Sequence, residues 1–150
     1  SALDVLDGKA KTGDKVIVLG GRKPGIAAAL HLAKAGKKVT LVSRDRKVGK
    51  DVNPSYIWRY IQKLSQFKVT TYRESALEEM TKTGAVIKAL HDTRIPVAAD
   101  MVVYAEREPI SDLKERATSL GLEVHVIGDA LGPRALSNAL HDGYKTGLRL

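Results

Sequence analysis

No cysteine occurs in the 150 residues. Disulfides, thiolate metal ligands, iron–sulfur ligation and cysteine nucleophiles are therefore excluded within this segment. Aromatic residues are scarce, seven in all, and no RRM, zinc-finger or arginine-rich signature stands beside them, so nucleic acid is not an expected partner. No apolar run approaches the ~20 residues of a membrane span, and the first residues lack the apolar stretch of a signal peptide. The composition suits a reducing cytoplasm, with no membrane partner. Acidic residues are thin in one half only. Residues 1–68 carry a balance of +10 and residues 69–150 a balance of −2, and between Arg22 and Lys50 the single acid among nine basic residues is Asp45. A basic block of that kind attracts a phosphate-bearing ligand.

What is present is a core-forming 43% of hydrophobic residues, and the length makes one compact domain, or one domain plus a short appendage. Residues 1–14 are polar and glycine-bearing and form a lead-in. Lys15-Val-Ile-Val-Leu19 is an unbroken, mostly β-branched run of the kind buried parallel strands have. Gly20-Gly21 punctuates it, and Pro24 suits the first turn of a helix. Ile26, Leu30 and Ala33 give that helix one apolar stripe, and Gly36 ends it. Val39-Thr-Leu-Val42 is a second buried strand, so residues 15–42 form a βαβ unit.

Asn53 and Pro54 then open a helix whose Ile57, Ile61 and Leu64 share a face. Residues 68–72 read as a third strand. Residues 85–91, 94–98 and 101–104 are short extended runs with polar separators and predict antiparallel hairpins. Ser111 is placed to cap a third helix carrying Leu113, Ala117 and Leu120. Residues 123–127 read as a last buried strand ending in Gly128-Asp129, and Pro133 as the opening of a final helix with Leu136, Leu140 and Tyr144. The expected fold is a three-layer α/β, Rossmann-like domain. Its parallel sheet would include residues 15–20, 38–43, 68–72 and 123–128, with a small antiparallel layer over 85–104.

The segment Gly20-Gly21-Arg22-Lys23-Pro24-Gly25 stands where a dinucleotide fingerprint G-x-G-x-x-G would stand. Its first glycine makes the tight turn, its second lets the pyrophosphate approach the backbone, and its third lets helix and strand pack; the helix N-terminus then supplies N–H donors. Gly20 and Gly25 fit the first and third roles, and Arg22 stands in the second. At the end of the second strand, where an acid would hold the ribose of NAD, there are Ser43 and Arg44. That pair accommodates a 2′-phosphate and so favours NADP over NAD.

The chain resembles the C-terminal NAD(P)/FAD-binding region of the Old Yellow Enzyme-related multidomain flavoproteins, the group of 2,4-dienoyl-CoA reductase, 2-enoate reductase and trimethylamine dehydrogenase. The resemblance rests on Asp4-Val-Leu-Asp-Gly-Lys9, Gly13-Asp-Lys-Val-Ile-Val-Leu-Gly-Gly21, Leu32-Ala-Lys-Ala-Gly36 and Val39-Thr-Leu-Val42. It continues with Asp100-Met-Val-Val103, Pro109, Val126-Ile-Gly-Asp129, Pro133-Arg134 and Asp142-Gly-Tyr144. It implies an NAD(P)-type domain over residues 15–122, with an antiparallel insert near 75–104, and the last strand and helix of an FAD-type domain over 123–150. It also implies that Gly128 and Asp129 meet FAD in the parent protein. The remaining domains of that protein, an FMN barrel and the FAD-binding half, would be its partners, a homo-oligomer being compatible with the sequence. The barrel, the cluster cysteines and the first FAD fingerprint are absent from these residues, so a fragment or excised domain is expected.

Four residues depart from the family pattern: Arg22 for the second glycine, Ala27 for a helix glutamate, Ser43 for the strand-end acid, and Arg107 for a glycine after the hairpins. Two functions therefore stand open. The first is a dinucleotide-binding domain of an NAD(P)H:flavin oxidoreductase, passing hydride from NAD(P)H to flavin and not turning over in isolation. The second is a degenerate domain kept for structure or docking. No catalytic side chain is expected in the chain. The four histidines, His31, His91, His125 and His141, lack metal-ligand spacing. Tyr56, Trp58 and Tyr60 cluster in the second helix and are expected to pack against the sheet or a neighbouring domain.

Overall fold

The structure, a computed structural model, describes residues 1–107, 109–110 and 112–150. It divides into two compact units, Ser1–Glu106 and Arg107–Leu150.

The first unit opens with helix α1 (Ala2–Leu6), whose Ser1 and Asp4 form a capping box. The lead-in is thus helical at its start, because Ala2 and Val5 are both buried. Strands β1 (Lys15–Leu19), β2 (Lys38–Val42), β3 (Thr70–Tyr72) and β7 (Met101–Tyr104) form a sheet of order β3-β2-β1-β7. Every pairing in it is parallel. Helices α2 (Lys23–Lys34) and α3 (Pro54–Gln66) are the crossovers. Strands β4 (Ala76–Thr81), β5 (Gly84–Lys88) and β6 (Arg94–Ala98) make a separate antiparallel sheet.

The alternation of side chains along β1 explains its unbroken apolar sequence. Val16 and Val18 join Ile26, Ala28, Ala29, Leu30 and the other buried residues of the helical layer. Ile17 points the other way, into a second cluster with Val42, Ala85 and Ile87. A strand covered on both faces has no place for a polar residue. The result is the expected three-layer arrangement: helices, parallel sheet, antiparallel sheet.

Several expectations are corrected. Residues 101–104 belong to the parallel sheet as β7, paired with β1 from Val16↔Met101 to Leu19↔Tyr104. An unbroken apolar run suits either sheet, and here the buried place beside β1 takes it. The antiparallel sheet gains β4 instead, which its Glu78 and Glu79 disguise. The chain leaves β5 at Lys88 and turns through Leu90–Asp92, where His91 and Asp92 have positive φ. The third strand begins at Thr70. Ile57 and Leu64 pack into the helical layer, but Ile61, Tyr56, Trp58 and Tyr60 are exposed. Arg59 lies over the rings of Tyr56 and Trp58 at 5.7 and 5.3 Å rather than a sheet residue doing so.

The second unit holds α4 (Asp112–Ser119) and α5 (Leu136–Gly147). Residues 123–127 are not a strand, because among the described residues no strand pairs with them, and a ladder needs a neighbour. The last helix begins at Leu136 and not at Pro133. The expected cap Ser111 lies outside the described residues. Leu113, Leu120, Leu136, Leu140 and Tyr144 are exposed. Among the described residues no helix is long and apolar enough to cross a membrane.

Candidate nucleotide site

The carboxyl end of β1 lies between β2 and β7, where the strand order changes direction. In open α/β sheets that is where ligands bind. Gly20 leaves the strand with φ +114, a backbone conformation L side chains rarely adopt, and its N–H donates to the Val42 carbonyl at 2.8 Å. A Cβ on Gly25 would run into the Gly20 carbonyl oxygen and meet the Ala105 Cβ at 3.3 Å. The first and third fingerprint positions are therefore glycine because helix α2 starts in contact with the end of β1.

Gly21 has a different reason. A Cβ there would strike the side chain of Ser43. Ser43 is 1% exposed, and its hydroxyl accepts from the Asp45 N–H at 3.2 Å. Its backbone continues the β2–β3 pairing, with its N–H donating to the Tyr72 carbonyl. The structure thus brings Gly20, Gly21, Arg22, Gly25, Ser43 and Arg44 together around one turn, with Ser43 beneath it.

Three basic residues around this turn, Arg22, Arg44 and Lys50, are engaged by acids. Arg22, the N-cap residue of α2, makes no capping hydrogen bond with its side chain. Its Nε donates to Asp45 Oδ2 at 3.4 Å, and Lys50 reaches the other oxygen of Asp45 at 3.3 Å. Arg44 pairs with Glu106 at 3.4 Å. The methylene of Glu106 lies so close to Gly20 that a Cβ there would stand 3.1 Å from it. The carboxylate of Asp51 accepts from the Lys23 N–H at 3.0 and 3.2 Å. It therefore sits on the first helical amide of α2, where the dipole favours an anion.

Asp45, Asp51 and Glu106 are the site residues that sequence reasoning missed. Asp45 carried a signal, as the lone acid in the basic block. The other two carried none, since their places depend on how the loops run.

As arranged here, protein groups occupy part of the place that a dinucleotide pyrophosphate would take at this turn. Lys23 N–H is taken by Asp51, Pro24 has no N–H to offer, and Arg22 adds a side chain where close approach needs glycine.

The remaining two candidates lie in the second unit. Gly128 (φ +60) and Asp129 stand on a 3-10 turn, Gly128–Ala130. The Gly128 N–H donates to Asp142 Oδ2 at 3.3 Å, and Arg134 pairs with the same oxygen. Asp129 itself is exposed.

The chain is similar over 99% of its length to a metal reductase of Desulforamulus reducens, at 24% identity, and spans 26% of that protein. It is 27% identical to an NADH oxidase of Thermoanaerobacter brockii over 96% of its length, spanning 23% of it. Among solved structures it is similar to 2-naphthoyl-CoA reductase in complex with 2-naphthoyl-CoA, with a TM-score of 0.69 and 32% identity over 99% of this chain and 23% of that one. The chain thus spans about a quarter of the length of these relatives. The likenesses agree with the resemblance to the Old Yellow Enzyme-related flavoproteins. Residues 4–106, more than half of the chain and inclusive of the whole glycine turn, match the family model described as pyridine nucleotide-disulphide oxidoreductase, and the protein belongs to that family.

Proposed function

We propose that this chain is the NAD(P)-type domain of a multidomain NAD(P)H-dependent flavin oxidoreductase related to the enoate and dienoyl-CoA reductases, serving the passage of hydride from NAD(P)H to flavin. The observation that carries this is the glycine turn at the carboxyl end of β1, at the switch in strand order, with Gly25 pressed on Gly20 as helix–strand packing requires. The cofactors would supply the redox chemistry, and the protein would supply binding and orientation. In the parent protein Gly128 and Asp129 would meet FAD. The partners would be its FMN barrel and FAD-binding half.

Between the two nicotinamide cofactors we propose NADP. Ser43 leaves no carboxylate at the strand end to repel a 2′-phosphate. Arg44 is itself exposed and pairs with a half-buried Glu106 at 3.4 Å, and its fork can take a phosphate instead. The test is a titration with NADPH and NADH followed by Trp58 fluorescence or calorimetry. Tighter binding of NADPH, by about ten- to a hundredfold, and its loss in Arg44→Ala, are expected. Equal or tighter NADH binding refutes the choice.

A second reading, a degenerate domain kept for structure or docking, is favoured by Arg22, which occupies the second glycine position and is drawn to Asp45. Saturable binding of either cofactor by the unaltered chain, lost in Arg22→Gly, counts against it, whereas a gain of binding in Arg22→Gly alone is the outcome it expects. Absence of binding in both supports it.

A further inference from the structure

We propose that residues 44–52 are a strap that closes the nucleotide turn, and that the Asp51 carboxylate is an internal stand-in for a ligand phosphate. Three observations place the strap. The Gly49 N–H donates to the Gly21 carbonyl at 2.6 Å, which ties the loop to the glycine turn itself. Val48 and Val52 are buried in the helical layer, so both flanks of Asp51 are anchored. Asp45, at the near end of the strap, holds the Arg22 side chain through its Nε.

The physics of the Asp51 contact works in two directions. The helix begins at Arg22, which supplies no side-chain cap, and a carboxylate on the first amide takes over that task. The same carboxylate occupies the amide that would meet a pyrophosphate. It is exposed, and both its oxygens accept from the same backbone donor, the Lys23 N–H. An anion with more charge can therefore compete with it. Asp51 is a positioning residue that stabilises the closed turn and opposes the ligand, so its removal is expected to move stability and phosphate affinity in opposite senses. A residue that only capped the helix would move stability alone.

The identity of the natural ligand rests on the dinucleotide reading, but the strap is tested without it. The probe is inorganic pyrophosphate, titrated by calorimetry at low and moderate salt into the unaltered chain, Asp51→Asn and Asp51→Ala, with NADPH and NADH in parallel. Asn keeps an acceptor and loses the charge, whereas Ala loses both. Pyrophosphate affinity is expected to rise in the order Asp, Asn, Ala, by about tenfold across the series. The melting temperature should fall in the same order, and exchange of the Lys23 amide proton should quicken. Asn guards against an Ala variant too unstable to measure.

Pyrophosphate affinity unchanged within about twofold in both variants overturns the proposal, whatever happens to stability. So does tight pyrophosphate binding by the unaltered chain with Lys23 still protected. If pyrophosphate responds as expected while neither NADPH nor NADH binds any form, the strap stands and the dinucleotide reading falls.

Discussion

Gly21 owes its identity to Ser43 rather than to a ligand. A Cβ added to Gly21 would overlap both the Oγ and the Cβ of Ser43, with Val48 at 3.5 Å closing the remaining side. Overpacking of this kind costs ~1–3 kcal/mol. Gly21→Ala is therefore expected to lower stability by about that amount, and Ser43→Gly in the same chain to restore most of it. The coupling read from a double-mutant cycle in denaturant should exceed ~1 kcal/mol; additive effects would mean that the turn relaxes some other way. The example also shows what a sequence can and cannot say at this scale. Gly20, Gly25 and the place of Arg22 followed from the order strand, glycine, helix. Ser43 was placed at the strand end by counting, but the direction of its side chain, beneath Gly21, could not be counted. Asp51 is 28 residues from Lys23 in the chain and within hydrogen-bond reach of its N–H, and only the path of the strap brings it there.

Elements were legible where the local signal and the tertiary environment agreed. Asn53 caps α3 by accepting from the Ser55 N–H, as its position before Pro54 predicts, and β1, α2 and β2 follow their periods. The sequence was misread where one local pattern served two environments. Met101–Tyr104 would suit a hairpin or a buried parallel strand, and residues 123–127 alternate like a strand but pair with no strand among the described residues. Pairing is a tertiary fact, and short apolar runs do not announce it. A charged contact tests the connection that joins two of these elements. Asp14, just before β1, accepts from Lys37 at 2.8 Å, and the Lys38 N–H donates to the Asp14 carbonyl at 2.8 Å. The hydrogen bond from Lys37, then its charge, hold the Asp14 carboxyl below its ordinary pKa. A carboxylate lowered in the folded state stabilises it above the unfolded value, near ~3.9, and that contribution disappears as pH falls through the lower folded value. Unaltered chain and Asp14→Asn should therefore differ slightly in melting temperature at pH 6, and the gap should close on acidification below about pH 4. A gap that widens in acid contradicts the sign.

Over the whole molecule the two units differ in what they bury. Ser1–Glu106 contains both apolar clusters and both sheets, and its hydrophobic layers are closed by residues of its own. In Arg107–Leu150 no described residue is buried. Leu113, Leu136, Leu140, Tyr144 and Leu148, each with two thirds or more of its surface exposed, are distributed along α4 and α5 as if for a core that these residues do not make. A segment of this size loses ~1–2 kcal/mol of backbone freedom per ordered residue and has no interior to offset it, and below about 40–50 residues a chain seldom folds without a staple or a partner. The expected outcome is asymmetric. Residues 1–106 prepared alone should keep their helix and strand content by circular dichroism and unfold in one cooperative transition. Residues 107–150 prepared alone should melt without cooperativity and bind a hydrophobic dye. A sharp, reversible transition in the smaller piece would show that its exposed leucines find each other in solution, and the division of the chain into a self-sufficient unit and a dependent one would have to be abandoned.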